Sequence, residues 1–329
     1  MAEIRLVERF PQLTTAQMLA HLVPPPQFHN ASFESYVPDD EYPTQASTRD
    51  VVRNFFTQPK SSKLFGKAAP VAAGIYLDGG FGVGKTHLLA SAFHMAKGRK
   101  YFGTFIEYTA LVGALGYANA VTALKGAAFI AIDEFELDDP GDTMLMTRLL
   151  GELMDTGTRV MATSNTPPNA LGEGRFAAAD FLREIHALSA RFTTIRIDGV
   201  DYRHRENTGR AVVCTPQQVL EFAASGGVVA HDDFASVVRH LGSLHPSKYV
   251  VLIEGVDAIV WSDVTPFTDQ NDALRFVALV DRLYDADIPI RASGEALDAI
   301  FPDDMLSGGY RKKYLRAVSR LIALTHRSV

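Results

Sequence analysis

The sequence predicts an α/β protein, a parallel-sheet core with helices on both faces followed by a smaller C-terminal α/β region. Three observations predict it. Between residues 71 and 200, strand-like apolar runs alternate with helix-like ones. Inside that stretch, Gly79-Gly80-Phe81-Gly82-Val83-Gly84-Lys85-Thr86 fits the spacing G-x-x-x-x-G-K-[ST]. About fifty residues later, the apolar run Ala127-Ala128-Phe129-Ile130-Ala131-Ile132 ends in two adjacent carboxylates, Asp133 and Glu134.

The elements follow in order. Residues 1–70 form an N-terminal segment. In it, Arg5 to Leu22 has helical character interrupted by Pro11, and Pro24-Pro25-Pro26 ends it. Gln27 to Gln45 carries Phe28, Phe33, Tyr36 and Tyr42 among prolines and acids, and helical spacing resumes over Ser47–Phe56 with Ser47 or Thr48 as the cap. The core, 71–200, offers strands at 71–77, 101–107, 127–132, 158–163 and 192–197, with helices at about 85–97, 142–155 and 179–190. The C-terminal region, 201–329, opens on a polar stretch containing Arg203-His204-Arg205. Strand-like runs at Tyr249–Ile253 and Ile288–Arg291, a helix at Gln270–Tyr284 and a basic helix at Tyr310–Thr325 complete it.

Of the 329 residues, 47% are hydrophobic and 21% charged, which suits a soluble globular chain with a sizeable core. The net charge of −6 argues against a dedicated nucleic-acid binder. One cysteine, Cys214, excludes an internal disulfide and a multi-cysteine zinc site; it suits a reducing cytoplasm and reads as a small apolar residue. The N-terminus lacks the basic start and apolar run of a signal peptide, and no uncharged apolar run approaches a membrane span, so a cytoplasmic location is expected. Peripheral membrane contact stays open.

The glycine-rich stretch lies between the apolar run 71–77 and the helical Thr86–Lys97. Strand, loop and helix N-terminus make an anion cradle, because backbone N–H groups converge there and the helix dipole adds partial positive charge. Gly79, Gly80, Phe81, Gly82, Val83, Gly84, Lys85, Thr86 and His87 form the candidate site for a nucleoside triphosphate, His87 serving helix packing at its edge. Lys85 is placed to reach the β- and γ-phosphates, and the Thr86 hydroxyl to ligate Mg²⁺. Asp133 is the second candidate for Mg²⁺, and Glu134 the candidate base that polarises the attacking water. An acid pair that merely caps the next helix is the alternative. The scattered histidines show no metal-ligand spacing, so no metal beyond Mg²⁺ is expected.

A third motif, Ala162-Thr163-Ser164-Asn165-Thr166-Pro167-Pro168, follows an apolar run, and Val200-Asp201-Tyr202-Arg203 follows the core. With the glycine-rich loop and Asp133-Glu134-Phe135, these closely resemble the ZapE family, the bacterial branch of the Afg-type AAA+ ATPases. Asp142-Thr143-Met144, Phe276 to Tyr284 and Val318-Ser319-Arg320-Leu321 extend the likeness to nearly the whole chain. The resemblance implies an AAA+-like P-loop NTPase core that hydrolyses ATP with Mg²⁺, and no guanine-reading Asn-Lys-x-Asp is present. It implies that Asn165 senses the γ-phosphate, against a plain turn-forming asparagine. It also implies an arginine finger supplied in trans, with Arg175 the first choice and Arg183 and Arg191 behind it, hence a homo-oligomer, hexameric in the AAA+ class. The expected partner is FtsZ in the division ring, with peripheral association at the inner membrane face; mitochondrial members act in membrane-linked protein quality control.

The chain departs from the family between Thr109 and Gly126, which is shorter and richer in Ala and Gly, leaving Tyr117 as the one aromatic able to grip a substrate there. Arg203 either relays nucleotide state to the C-terminal region or packs there. Arg316 and Arg320 lie four apart, as a phosphate contact or, preferred, a solvated basic face. Phe28, Phe33 and Tyr36 either floor an adenine pocket or, preferred, pack in the core. Two other readings remain: a DNA-binding ATPase of the helicase-loader type, using Arg311–Arg320 and Arg203–Arg210, and a nucleotide-gated adaptor without appreciable turnover.

Overall fold

A computed structural model describes residues 4–56, 74–80, 82–135, 140–165, 186–199, 209–223 and 227–327. By its internal contacts the chain divides into two units, Thr14–Tyr202 and Met1–Leu13 with Arg203–Val329.

In the first unit, α1 (Thr15–Ala20) and α2 (Pro43–Asn54) precede β1 (Gly74–Gly79), α3 (Lys85–Met95), β2 (Lys100–Thr104), α4 (Phe105–Leu115) and α5 (Tyr117–Leu124). Then come β3 (Phe129–Asp133), α6 (Pro140–Asp155), β4 (Arg159–Ser164) and β5 (Phe192–Ile197). The sheet order is β2-β3-β4-β1-β5, with every pairing parallel. Side chains alternate between two packed layers, as a sheet covered on both faces requires. Ile75, Leu77, Phe129, Ala131 and Met161 meet Leu88, Leu89 and Phe93 of α3, together with Phe33, Tyr36 and Val52. Tyr76, Ile130, Ile132, Val160 and Ala162 meet Tyr108 and Leu111 of α4 and Met146, Leu149 and Leu153 of α6. Because β4 lies between β3 and β1, the chain segments that follow these three strands leave the sheet side by side.

Local chemistry sets the element ends. The expected strand 101–107 stops at Thr104, because Thr104 and Glu107 form a reciprocal capping box that starts α4. Helix α2 starts at Pro43, not Ser47; Pro43 occupies its first turn, and the Ser47 and Thr48 hydroxyls donate to Thr44 O instead of capping. Arg5 to Leu22 is not one interrupted helix but a 3-10 turn at Leu6–Glu8 and then α1, capped by Thr14 and Gln17. Helix α3 ends on Lys100, whose Nζ donates to Phe93 O at 2.7 Å and Ala96 O at 3.0 Å. Of the expected helix 179–190, only residues from 186 onward lie among the described residues, where the chain is helical.

The second unit is a parallel three-stranded sheet of β6 (Val229–Asp233), β7 (Ala258–Val264) and β8 (Ile290–Gly294), in that order. Its helices are α7 (Pro216–Ala223), α8 (Phe234–Ser243), α9 (Tyr249–Leu252), α10 (Gln270–Asp285), α11 (Asp303–Ser307) and α12 (Arg311–His326). Ala230, Ile259, Trp261, Ile290 and Ala292 pack against Phe234, Phe276, Leu283 and Leu321, while Val229, Ala258 and Val260 lie under Val219 of α7. The run Tyr249–Ile253, expected as a strand, is the short helix α9; the turn at Pro246–Lys248 feeds it, and Tyr249 OH donates to Leu241 O at 3.0 Å. The outer edge of β6 is covered by the start of the chain. Ile4 N donates to Val229 O at 3.2 Å, His231 N to Ile4 O at 3.0 Å and Leu6 N to Asp232 Oδ2 at 2.7 Å, with Leu6 fully buried.

Arg316 and Arg320 do not form a solvated basic face. Both are largely buried and converge on Asp281 of α10, Arg316 Nη2 at 2.8 Å from Oδ2 and Arg320 Nη1 on Oδ1. Burial pushes the Asp281 carboxyl up, but Arg316 and then Arg320 outweigh it and hold it below the usual range. Among the described residues no helix is long and apolar enough to cross a membrane.

These anchors carry three predictions. Asp281→Asn removes the carboxylate that two largely buried guanidiniums share and should lower unfolding free energy by about 3 kcal/mol, read by denaturant titration. In the unmodified chain the Asp281 contribution is complete above its unfolded pKa near ~3.9 and is lost as pH falls through the lower folded value, so Asp281→Asn should flatten the acid limb of a melting-temperature profile. Lys100→Met removes the donors at the end of α3 and should cost about 1 to 2 kcal/mol in the same titration.

Candidate nucleotide site

The loop after β1 is built around a glycine that nothing larger can replace. Gly84 sits at φ 84°, and a Cβ there would lie 2.4 Å from the Tyr36 ring. Tyr36 also donates its hydroxyl to Val83 O at 3.0 Å, so a residue from well before the loop lies directly against it. Lys85, in the first turn of α3, folds its side chain back over the loop. Its Nζ donates to Gly79 O at 2.9 Å, to Gly80 O, and to Asn165 Oδ1 at 2.9 Å. Lys85 and Asn165 thus meet across the boundary between β1 and β4.

The next side chain reaches the other neighbour. Thr86 Oγ1 donates to the Asp133 carboxylate, 3.0 Å from Oδ2, at the end of β3. Thr163 donates its hydroxyl to Asp133 Oδ1 and accepts from Glu134 N at 3.1 Å, while Phe135 N donates to Thr163 O at 2.7 Å. Burial, followed by the Glu134 charge, raises the Asp133 pKa; the Thr163 and Thr86 hydroxyls and Lys85 oppose the rise. Glu134 has φ 53°, a left-handed conformation that costs a non-glycine residue about 1 kcal/mol or more. Its neighbours hold it there: Phe135 is buried, its ring edge-on to Phe105 and Tyr76 at centroid distances of 5.4 and 6.1 Å.

Of the residues singled out in the sequence, Gly79, Gly80, Gly82, Val83, Gly84, Lys85, Thr86, Asp133, Glu134 and Asn165 converge on one end of the sheet. His87 Nε2 lies 3.0 Å from both Ser32 O and Ser35 Oγ, which ties the N-terminal segment to α3. Phe33 and Tyr36 are core residues of this unit. Arg191 is engaged by Asp155 Oδ1 at 2.6 Å and Gly151 O at 3.2 Å. Tyr117 donates to Glu152 Oε1 at 2.8 Å beneath the Arg148 guanidinium, and burial first, then that bond, pushes its pKa up to about 12. Phe81, Arg175, Arg183, Arg203 and Thr166-Pro167-Pro168 lie outside the described residues.

Sequence reasoning missed three residues. Thr163 is buried at the centre of the carboxylate cluster; its only signal was the two-residue spacing from Asn165, which puts both on one side of the β4 end. Tyr36 was read only for its ring. Asp78, buried on β1 one residue before the loop, pairs with Arg196 of β5 at 3.2 Å, directly opposite it in register.

The profile of the AFG1-like ATPase family matches residues 13–226 and 217–329. Cell division protein ZapE of Escherichia coli K12 is 28% identical over 323 residues, covering 84% of this chain and 85% of that protein. Lactation elevated protein 1 homolog B of Danio rerio is 23% identical over 227 residues, covering 57% of this chain and 44% of that protein. Among solved structures, DnaI aligns with a TM-score of 0.41 and 16% identity over 54% of this chain and 93% of its own, a likeness too loose to bear on mechanism. With the family profile spanning the chain from residue 13 to its end, over a parallel sheet that gathers a glycine-rich loop, a lysine and two carboxylates at one edge, this chain belongs to the AFG1-like ATPase family and is a P-loop ATPase of the AAA+ class.

Proposed function

We propose that the chain is a Mg²⁺-dependent, self-assembling ATPase that acts on the bacterial division machinery from the cytoplasmic side. The observation that carries the catalytic part is the pair of cross-strand contacts, Lys85 to Asn165 and Thr86 to Asp133, which joins the loop to the ends of β4 and β3. In this reading the glycine-rich loop with Lys85 binds the phosphates, and Asn165 registers the γ-phosphate. Thr86 and Asp133 offer a hydroxyl and a carboxylate, hard oxygen donors of the kind Mg²⁺ takes, and would hold it. When bound, that ion neutralises charge on the phosphates. Glu134 accepts a proton from water as the water oxygen bonds to the γ-phosphorus and the bond to the β-phosphate oxygen breaks, leaving ADP and phosphate. Arg175 of a neighbouring copy supplies the finger, so turnover requires assembly into a homo-oligomer, a hexamer by analogy with its class. We place the catalytic core within 71–200, with 201–329 as the region that nucleotide state acts upon.

The name of the Escherichia coli relative supports cell division as the process; FtsZ as the protein acted on and peripheral association with the inner membrane face are what the family resemblance implies. A DNA-binding helicase-loader role draws less support, because Arg316 and Arg320 of the basic C-terminal helix are taken up by Asp281.

Glu134→Gln should abolish steady-state ATP hydrolysis while ATP binding, read by a fluorescent analogue, persists. Wild-type activity per molecule should rise with protein concentration, and Arg175→Ala should remove that activity without weakening nucleotide binding. Tight binding with no turnover at any concentration would point instead to a nucleotide-gated adaptor. Purified protein with ATP and Mg²⁺ should alter FtsZ polymers in a sedimentation assay, and unchanged polymers would sink the division-ring assignment.

A further inference from the structure

We propose that Thr163 is a positioning residue for hydrolysis, holding the Asp133 carboxylate and the Glu134 backbone at once, so that its hydroxyl controls turnover and leaves nucleotide affinity alone. The proposal rests on the reading of Glu134 as the base.

The β3–β4 ladder runs in register from Phe129↔Arg159 to Ile132↔Ala162 and stops there. Thr163 is the next residue of β4, and from this point its own groups replace the ladder. Its hydroxyl proton is committed to Asp133 Oδ1, its hydroxyl oxygen accepts Glu134 N at 3.1 Å, and its carbonyl accepts Phe135 N at 2.7 Å. Three consecutive residues are therefore tied to one. The side chain is 1% exposed, so water cannot stand in for the hydroxyl without a rearrangement. The middle of the three, Glu134, is in the left-handed conformation, and its backbone N–H is the group that Thr163 Oγ1 holds. Without that acceptor the 134 peptide can turn and carry the carboxylate with it. A displacement of about 1 Å in a reacting group lowers rates roughly 100-fold.

Threonine suits this position better than serine. Its β-branch restricts χ1, which keeps the hydroxyl pointed between the Asp133 carboxylate and the Glu134 N–H. The lysine is held by other groups: its Nζ donates to Gly79 O, Gly80 O and Asn165 Oδ1. Thr163 and Asn165 thus divide the end of β4, one serving the acids and the other the lysine.

The test is steady-state ATPase kinetics on the full chain for Thr163→Val, Thr163→Ala and Thr163→Ser, with Glu134→Gln in parallel and a fluorescent ATP analogue to read binding. Val and Ala should lower kcat by about 30-fold or more, within the range seen when a catalytic geometry is loosened, while KM and analogue affinity stay within about threefold. Ser should restore kcat to within about threefold of wild type. If Val fails to give a cooperative melt, the Ser and Ala pair, which differ only in the hydroxyl, carry the same comparison. Near-wild-type kcat in the hydroxyl-free variants, a loss Ser does not restore, or a loss confined to KM would each overturn the proposal. Inactive Glu134→Gln beside fully active Thr163→Val would remove the positioning role alone; an active Glu134→Gln would remove the base assignment and this inference together.

Discussion

The nucleotide unit depends on one constraint: β4 is interposed between β1 and β3 in a parallel sheet. Parallel strands all end on the same edge, so whatever follows them emerges together. The order then makes the phosphate loop and the acidic pair second neighbours, separated by one strand, and that strand ends in Thr163 and Asn165. Lys85 is tied to β4 through Asn165 Oδ1 and Asp133 through the Thr163 hydroxyl, while Thr86 reaches Asp133 directly. Moving β4 to an outer position would leave every motif intact in sequence and take Thr163 and Asn165 away from the places where they meet the acids and the lysine.

The second unit solves a different problem. Its core contains an aromatic cluster in which Phe276 and Phe234 each meet the other, Trp261 and Phe267 at centroid separations of 5.2 to 5.9 Å. Against this apolar setting Asp281 is clasped by two guanidiniums from α12. Such clusters are costly to build and costlier to break, because removing the acid strands like charges away from water. The arrangement fixes α10 against α12 in a single register, which apolar contacts alone specify less sharply.

Much of this was legible in the sequence, for reasons that differ by element. The five strands of the nucleotide unit were readable because apolar runs flanked by Gly and Pro have few other fates. The glycine-rich loop and the acidic pair were readable because their chemistry fixes residue type and spacing together. The short helix at Tyr249 was not: Val250-Val251 carries β propensity, and only the tertiary burial of Tyr249 and Leu252 decides for a turn of helix. Ser47 and Thr48 looked like caps, yet the prolyl start at Pro43 had already opened the helix. Arg316 and Arg320 looked solvated because their partner lies 35 and 39 residues away, beyond the reach of any local pattern. Thr163 was hidden for a related reason: its role depends on which strand lies next to β4, and sequence does not print strand order.

The covered edge of β6 bears on how the chain is made. Leu6 and the carboxylate that receives its N–H are separated by 226 positions, and the whole unit Thr14–Tyr202 is spelled out between them. Chains are synthesised from the N-terminus and units fold as they become complete. The nucleotide unit therefore has its full sequence long before β6 leaves the ribosome, while Ile4 and Leu6 must wait, apolar and unpartnered, for the last third of the message. The protein is in this sense an ATPase inserted between the first residues of its C-terminal unit and the strand they cover, and those residues are the last to find their place.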